Sequence, residues 1–342
     1  MVTSLDGLDL AALDRHLRDV GIPRTGELRG QFISGGRSNL TFLVFDDVST
    51  WVLRRPPLHG LTPSAHDMGR EYRVVAALAG SPVPVAPAVT MRDDDSVLGA
   101  PFQMVEYVAG NVVRSRVELD ALGGAAVVSA CVDSLIRVLV DLHEVDPEAV
   151  GLSDFGKPSG YLERQVRRWG SQWQHVRLPD DPRDDDVQRL HAKLVNTAPE
   201  QSRSSIVHGD YRIDNTILDA EDPTIVRAVL DWEMSTLGDP LSDAALMCVH
   251  RDPALNLILN EETAWTAPQM PSADELAHRY AMASGNPLAH WEFQMALGYF
   301  KLAIIAAGID FRRRMATENP TDDDRAGQAV AVLISRGLQT AS

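Results

Sequence analysis

Eight residues, His208-Gly209-Asp210-Tyr211-Arg212-Ile213-Asp214-Asn215, concentrate oxygen chemistry in this 342-residue chain, and Leu230-Asp231-Trp232-Glu233 follows them after a hairpin-like stretch. An aspartate and an asparagine five residues apart on a loop, with a second aspartate from the next strand end, can supply one base and two oxygen ligands around a single point. Such a set suits a hard cation like Mg²⁺, which takes carboxylate, amide and phosphate oxygens and keeps some of its waters. Phosphoryl transfer needs the same set, because its catalysis is chiefly positioning and charge neutralisation, with one carboxylate orienting the attacking hydroxyl. The bland reading, that Asp210 and Asn215 merely cap a turn, does not explain Asp231 arriving with them.

This segment resembles the catalytic loop and metal-binding aspartate of the aminoglycoside phosphotransferases and choline kinases, which share the protein-kinase fold. The resemblance implies ATP as phosphoryl donor, Mg²⁺ as cofactor and a small-molecule hydroxyl as acceptor. By the same correspondence Asp210 is the catalytic base, Asn215 and Asp231 are the Mg²⁺ ligands, and His208 supports the loop.

The family's other parts are expected upstream in a fixed order. Ser34-Gly35-Gly36-Arg37-Ser38-Asn39 matches the turn that covers the nucleotide phosphates with backbone N–H groups, so Ser34, Gly35, Gly36, Ser38 and Asn39 are expected nucleotide contacts. Taken alone it is an ordinary Gly-rich hairpin turn. Trp51-Val52-Leu53-Arg54-Arg55-Pro56-Pro57 sits where the family has a phosphate-contacting lysine. Arg54 takes that position, with Arg55 as the alternative register, and an arginine differs in reach and bidentate geometry. Kinase domains fused to acyl-CoA dehydrogenases look similar here, with an Arg-rich segment ending in prolines. Glu71 matches the glutamate that pairs with the phosphate-contacting cation, or is an acid favoured near a helix N-terminus by the dipole. Phe102 to Gly110 matches the hinge, where the Glu106 carbonyl and the Val108 amide face adenine. Asp239, Asp243 and His143 read as structural: a helix cap, a support for the loop, and a packed, hydrogen-bonded histidine.

These parts need two kinds of scaffold. After a short amphipathic helix with Leu10, Leu13 and Leu17 on one side, the chain runs in strand-like segments over 31–34, 40–45, 51–54, 88–91 and 102–107, with a helix over 67–78. From Ala125 the apolar residues Val128, Cys131, Leu135, Leu139 and Leu142 recur at helical spacing, broken by short β-type runs between 205 and 231. The expected fold is α+β and, by the resemblance, bilobal and protein-kinase-like. Residues 1–107 form a nucleotide-binding lobe with a five-stranded antiparallel sheet and one helix. Residues 108–342 form a mainly helical lobe with the catalytic loop and the acceptor site. Ser159 to Arg177, with Trp169 and Trp173, and the helices over 287–314 form either an acceptor wall or a packed surface.

A formal charge of -16 speaks against nucleic acid or anionic lipid as partner, since both need clustered Lys and Arg. The acidic triplets at 93–95, 184–186 and 322–324 read as solvated charge. Cys131 and Cys248 suggest neither a disulfide nor a zinc site, and Met1 to Leu10 lacks an export-signal pattern, so a cytoplasmic protein is expected. The most apolar late stretch, 302–309, is too short for a membrane span. Two rival readings stand beside the small-molecule kinase: a catalytically weak or inactive nucleotide-binding homologue, raised by Arg54, and a protein kinase, disfavoured by the short interval between Asp231 and Gly238.

Overall fold

Alternation along the strands builds the first of two compact units, Met1–Ala109 with Arg227–Ser235. The computed structural model describes residues 5–34, 39–58, 67–316 and 325–341. Helix α1 (Leu10–Asp19) is capped by the Asp9 carboxylate, which accepts from the Ala12 N–H. Strands β1 (Arg29–Ser34), β2 (Leu40–Phe45) and β3 (Thr50–Arg55) precede helix α2 (Met68–Ala77), and β4 (Ala88–Arg92) and β5 (Phe102–Glu106) follow it. The sheet order is β1-β2-β3-β5-β4, and every neighbouring pair is antiparallel. The expected five-stranded antiparallel sheet with one helix is therefore present.

Side chains two apart share a face. Phe42 and Val44 of β2, Trp51 and Leu53 of β3, and Phe102 and Met104 of β5 join Leu13 and Leu17 of α1 in one core. Leu53 and Phe102 are fully buried, and each such burial contributes about 1.5–3 kcal/mol. Arg55 shares this face, and its Nη1 donates to the carbonyls of Gly7 (2.6 Å) and Leu98 (2.9 Å). Arg54 therefore lies on the opposite face. The pleat resolves the two registers left open by the sequence: Arg54, not Arg55, has the α2 side of the sheet.

The second unit, Gly110–Val226 with Thr236–Ser342, is helical. It contains α3 (Arg116–Leu122), α4 (Ala125–Glu144), α5 (Tyr161–Val176) and α6 (Asp184–Thr197). Short strands β6 (Ser205–Val207), β7 (Thr216–Leu218), β8 (Val226–Val229) and β9 (Thr236–Gly238) come next, and β6 pairs antiparallel with β9. Only Val226 of β8 falls in this unit; the rest of the strand, and Asp231 beyond it, pack with the first unit. Helices α7 (Pro240–Val249), α8 (Ala254–Leu259), α9 (Ala273–Ser284), α10 (Trp291–Ala316) and α11 (Arg325–Thr340) complete it. The residues singled out in α4 by their spacing, Val128, Cys131, Leu135, Leu139 and Leu142, are all buried.

Helix α10 corrects one expectation. Its apolar stretch is not confined to 302–309, and Trp291–Met315 is long and apolar enough by length and composition to cross a membrane. Its most apolar 18-residue window is 72% buried within the protein, as in a core helix.

Gly110 shows where a backbone needs glycine. Its φ is +154°, and a Cβ there would run into the Leu218 carbonyl, because Asn111 and Leu218 exchange 2.8 Å backbone hydrogen bonds beside it. Gly110→Ala should destabilise the protein by about 1–3 kcal/mol, read as a lower Tm in a thermal melt; an unchanged Tm would show that the contact relaxes freely.

Candidate active site

In the second unit, β6 delivers its chain into the loop 208–215 with His208 completely buried. Asp243, in the first turn of α7, holds the loop's entry. Its two carboxylate oxygens accept the backbone N–H groups of His208 (2.6 Å) and Gly209 (2.8 Å). His143 on α4 faces the same carboxylate at 3.3 Å through Nε2, while its Nδ1 pairs with the Tyr280 hydroxyl at 2.8 Å. Burial opposes ionisation of Asp243, but His143, His208 and the loop N–H bonds outweigh it and pull the carboxyl down to about 2. Asp239 caps α7 by accepting from the Leu241 N–H (3.0 Å). The structural roles expected for Asp239, Asp243 and His143 are those observed.

Gly209 turns with φ +86°, a left-handed conformation that glycine adopts without penalty, and presents Asp210. The Asp210 N–H donates to His208 Nδ1 at 3.2 Å, so His208 supports the loop. Asn215 Nδ2 donates to the Asp210 carbonyl (2.8 Å) and to Asp210 Oδ2 (3.1 Å), which leaves the Asn215 Oδ1 as the atom it could offer a cation. Arg212 lies between two carboxylates, 3.2 Å from Asp210 Oδ2 and 3.3 Å from Asp214 Oδ2. Burial raises the pKa of Asp210, yet Arg212, His250, His208 and Lys301 overcome it and hold the carboxyl below its ordinary value. At neutral pH Asp210 is a charged acceptor, as a base must be before it takes a proton.

Lys301 and His250 are functional neighbours that sequence reasoning did not single out. Lys301 Nζ donates to the Gly209 carbonyl at 2.7 Å, and burial pulls its pKa down to about 8. The signal was available: Lys301 is the lone charge between Phe293 and Ile309, and a charge inside an apolar helix demands a partner. His250 ends α7 with Nε2 3.4 Å from Asp210 Oδ1.

Of the two readings of the late elements, Trp173 and Arg164 follow the packed one. Trp173 is buried and donates to Asp184 Oδ1 at 2.6 Å, and Arg164 is tied to the carbonyls of Ser159 and Lys157. A cavity lined by Tyr161, Trp169, Gly209, Asp243 and Lys301 has a volume of about 20 Å³. That is the size of one water, too small for an acceptor.

The first unit assembles its own charged set. Glu71, in the first turn of α2 and capped into place by Asp67, pairs with Arg54 across the sheet face. Gln103, the register partner of Arg54, lies beside it on the same face of the sheet. Burial pushes the Glu71 carboxyl up, and Arg54 opposes the shift. Arg54 Nη2 also lies 3.9 Å from Asp231 Oδ1. Asp231 has φ +62°, a left-handed conformation uncommon for a residue with a side chain, and its Oδ1 is buried without a hydrogen-bond partner. Trp232 anchors this turn by donating Nε1–H to the Val229 carbonyl at 3.0 Å. The side-chain amide of Asn39 is likewise buried with neither Nδ2 nor Oδ1 paired. Glu106 ends β5 and Val108 follows it in the same unit. Gly35, Gly36 and Ser38 lie outside the described residues, as does the side chain of Ser34.

By donor chemistry alone, each residue by itself, these side chains suit the phosphates of a nucleotide and a hard cation. Arg54 offers a cation for phosphates, Asn215 and Asp231 offer oxygens, and among the described residues no group of three or more His, Cys, Asp or Glu could hold a metal alone. A hard cation with so few protein oxygens would complete its shell with phosphate oxygens and water, as Mg²⁺ does.

Comparison with known proteins follows the same lines. The Phosphotransferase enzyme family matches residues 29–281. Acyl-CoA dehydrogenase family member 10 of Mus musculus is 34% identical over 307 residues, covering 87% of this chain and 28% of the mouse protein. Family member 11 of Homo sapiens is 32% identical over 333 residues, covering 96% of this chain and 42% of the human one. The chain thus spans less than half the length of these relatives. A crystal structure from Ralstonia eutropha, described as a candidate aminoglycoside phosphotransferase, is 32% identical with a TM-score of 0.81, covering 97% of this chain and 98% of that one. Aminoglycoside phosphotransferase APH(4)-Ia, in complex with ADP and hygromycin B, shares the fold at 14% identity and a TM-score of 0.64, over 96% of this chain and 97% of that one. The protein-kinase-like α+β fold expected from the sequence is the fold of this chain.

The clamp at Asp243 carries a pH dependence. Its carboxyl ionises more readily in the folded protein than in the unfolded chain. The resulting stability, on the order of 2 kcal/mol, is therefore present above about pH 4 and lost as pH falls through about 2. Asp243→Asn should lower the Tm at pH 7 and flatten the acid limb of the stability profile; melts between pH 7 and 2 that superimpose on wild type would contradict this.

Proposed function

Since the chain belongs to the phosphotransferase enzyme family, we propose that it binds ATP with Mg²⁺ and moves the γ-phosphoryl group to a hydroxyl of a small molecule, an amino sugar or a hydroxyacyl compound. The observation that carries this reading is Asp210: a carboxylate kept ionised by Arg212 and its neighbours and braced by Asn215, on a loop that Asp243 fixes.

In this reading the acceptor hydroxyl oxygen bonds to the γ-phosphorus and gives its proton to Asp210, while the bond to the bridging oxygen breaks and its electron pair leaves with ADP. Asn215 and Asp231 are the proposed cation ligands. Mg²⁺ when bound would neutralise charge on the phosphates. Arg54, held by Glu71, meets the phosphates in the role the family gives to lysine, and Ser34, Gly35, Gly36, Ser38 and Asn39 cover them. The Glu106 carbonyl and the Val108 amide receive the adenine. Two buried free cysteines, Cys131 and Cys248, suit a cytoplasmic location.

A second reading, a weak or inactive nucleotide-binding homologue, is favoured by one observation: Arg54 faces both Glu71 and Asp231, so its fork has two protein partners before any phosphate arrives. Two variants test these readings. Asp210→Ala should lower ADP release from Mg-ATP, assayed with pooled hydroxyl compounds, by about 10²-fold or more. Its Mg-ATP affinity by calorimetry should stay within about threefold; equal loss of both would remove Asp210 from the base role. Arg54→Lys should keep or raise the turnover if Arg54 acts as the family's lysine does. No turnover by wild type with any acceptor, together with intact ATP binding, would favour the second reading.

A further inference from the structure

His250 is the C-cap of α7, just past Val249, with 2% of its surface exposed. Asp210 is gripped unevenly: Oδ2 takes the Arg212 and Asn215 donors, and Oδ1 faces His250 Nε2 at 3.4 Å. The charged groups facing the ring are Asp210, Arg212, Lys301 and Asp243, two carboxylates and two cations. Burial keeps the imidazole neutral, with its pKa pushed down to about 3.

A neutral imidazole carries one N–H, and the choice of nitrogen decides what Asp210 meets. With the proton on Nδ1, a ring lone pair would oppose the carboxylate. With the proton on Nε2, a donor faces Oδ1, and Nδ1 becomes the lone-pair nitrogen. Nδ1 is buried with no hydrogen-bond partner. Buried histidines kept only for packing ordinarily satisfy their polar atoms, and an apolar side chain of similar volume would end α7 without an orphaned nitrogen. The polar ring is retained at a cost to stability, and the group its other nitrogen faces is the proposed base.

We propose that His250 is a positioning residue for phosphoryl transfer: its Nε2–H holds Asp210 Oδ1 and fixes the plane of the carboxylate, so that the remaining lone pair of Oδ1 is presented to the acceptor hydroxyl. This rests on the reading of Asp210 as the base. His250 keeps its own proton throughout, and the hydroxyl proton passes to Asp210. The ring acts on orientation and not on nucleotide binding, so its loss should appear in kcat and not in KM for ATP.

The test uses the full chain with Mg-ATP and pooled amino-sugar and hydroxyacyl compounds, reading ADP release. His250→Leu should lower kcat by about 10- to 100-fold, the range typical of groups that orient a reacting residue. KM for ATP should stay within about twofold. His250→Gln, whose amide can return a donor to the place of Nε2, should recover most of the loss. Leucine and glutamine variants that fold and are equally impaired would make the role one of packing, and a leucine variant with wild-type kcat would end the proposal. An independent readout is the ¹⁵N spectrum of the labelled imidazole, in which His250 should be the neutral Nε2–H tautomer between about pH 5 and 8. An Nδ1–H tautomer would overturn the inference whatever the kinetics. If His250→Leu fails to fold, His250→Gln and the spectrum decide. If wild type releases no ADP, the phosphotransfer reading fails, while the tautomer still reports whether His250 holds Asp210.

Discussion

A carboxylate that must stay charged while it is partly drawn out of water is the constraint around which the loop 208–215 is built. Isolated burial would neutralise Asp210. What prevents this is compensation by two cations, Arg212 within the loop and Lys301 from α10, with the Asn215 amide donating to the carboxylate. Lys301 also ties the loop backbone through the Gly209 carbonyl. A fully buried carboxylate, Asp243, is stabilised differently, chiefly by His143 and by accepting backbone N–H groups from the loop it supports. One acid carries the expected chemistry, the other holds the backbone that presents it, and the difference lies in their partners.

The first unit solves a parallel problem with a cation. Arg54 is on a strand whose other face is core, so the β pleat turns it toward α2, where Glu71 meets it. Arg55, one residue on, points the other way and spends its donors on the carbonyls of Gly7 and Leu98. Two adjacent arginines thus have unrelated roles: one secures the chain near the N-terminus, and the other stands by Glu71 and Asp231. An arginine in this place differs from lysine in that its planar fork can serve two carboxylates at once.

The relatives set the context. Residues 29–281 match a phosphotransferase family, yet the similar curated proteins are acyl-CoA dehydrogenase family members more than twice as long as the matched stretch. A shared fold carries many acceptors, and the elements expected to bear on that choice are α5 and α10. There the packing of Trp173 and the ties on Arg164 remove two residues from the acceptor question and leave the surroundings of Trp169, Lys301 and Arg168 in it.

Much of this protein could be read without coordinates. The order of motifs was legible along the chain, and the helical spacing from Val128 to Leu142, the strand-like runs of β2, β3 and β5, and the cap at Asp239 are local, governed by rules of periodicity and capping. The supporting roles of His208, Asp243 and His143 were legible as well, through their place in a recognisable order. What only the tertiary structure decided involves residues distant in sequence whose meeting no period encodes: Arg54 rather than Arg55 beside Glu71, Lys301 brought 92 residues back to the Gly209 carbonyl, and His250 set against Asp210. Burial and pairing arise from packing, and they determine which acid stays charged and which histidine stays neutral.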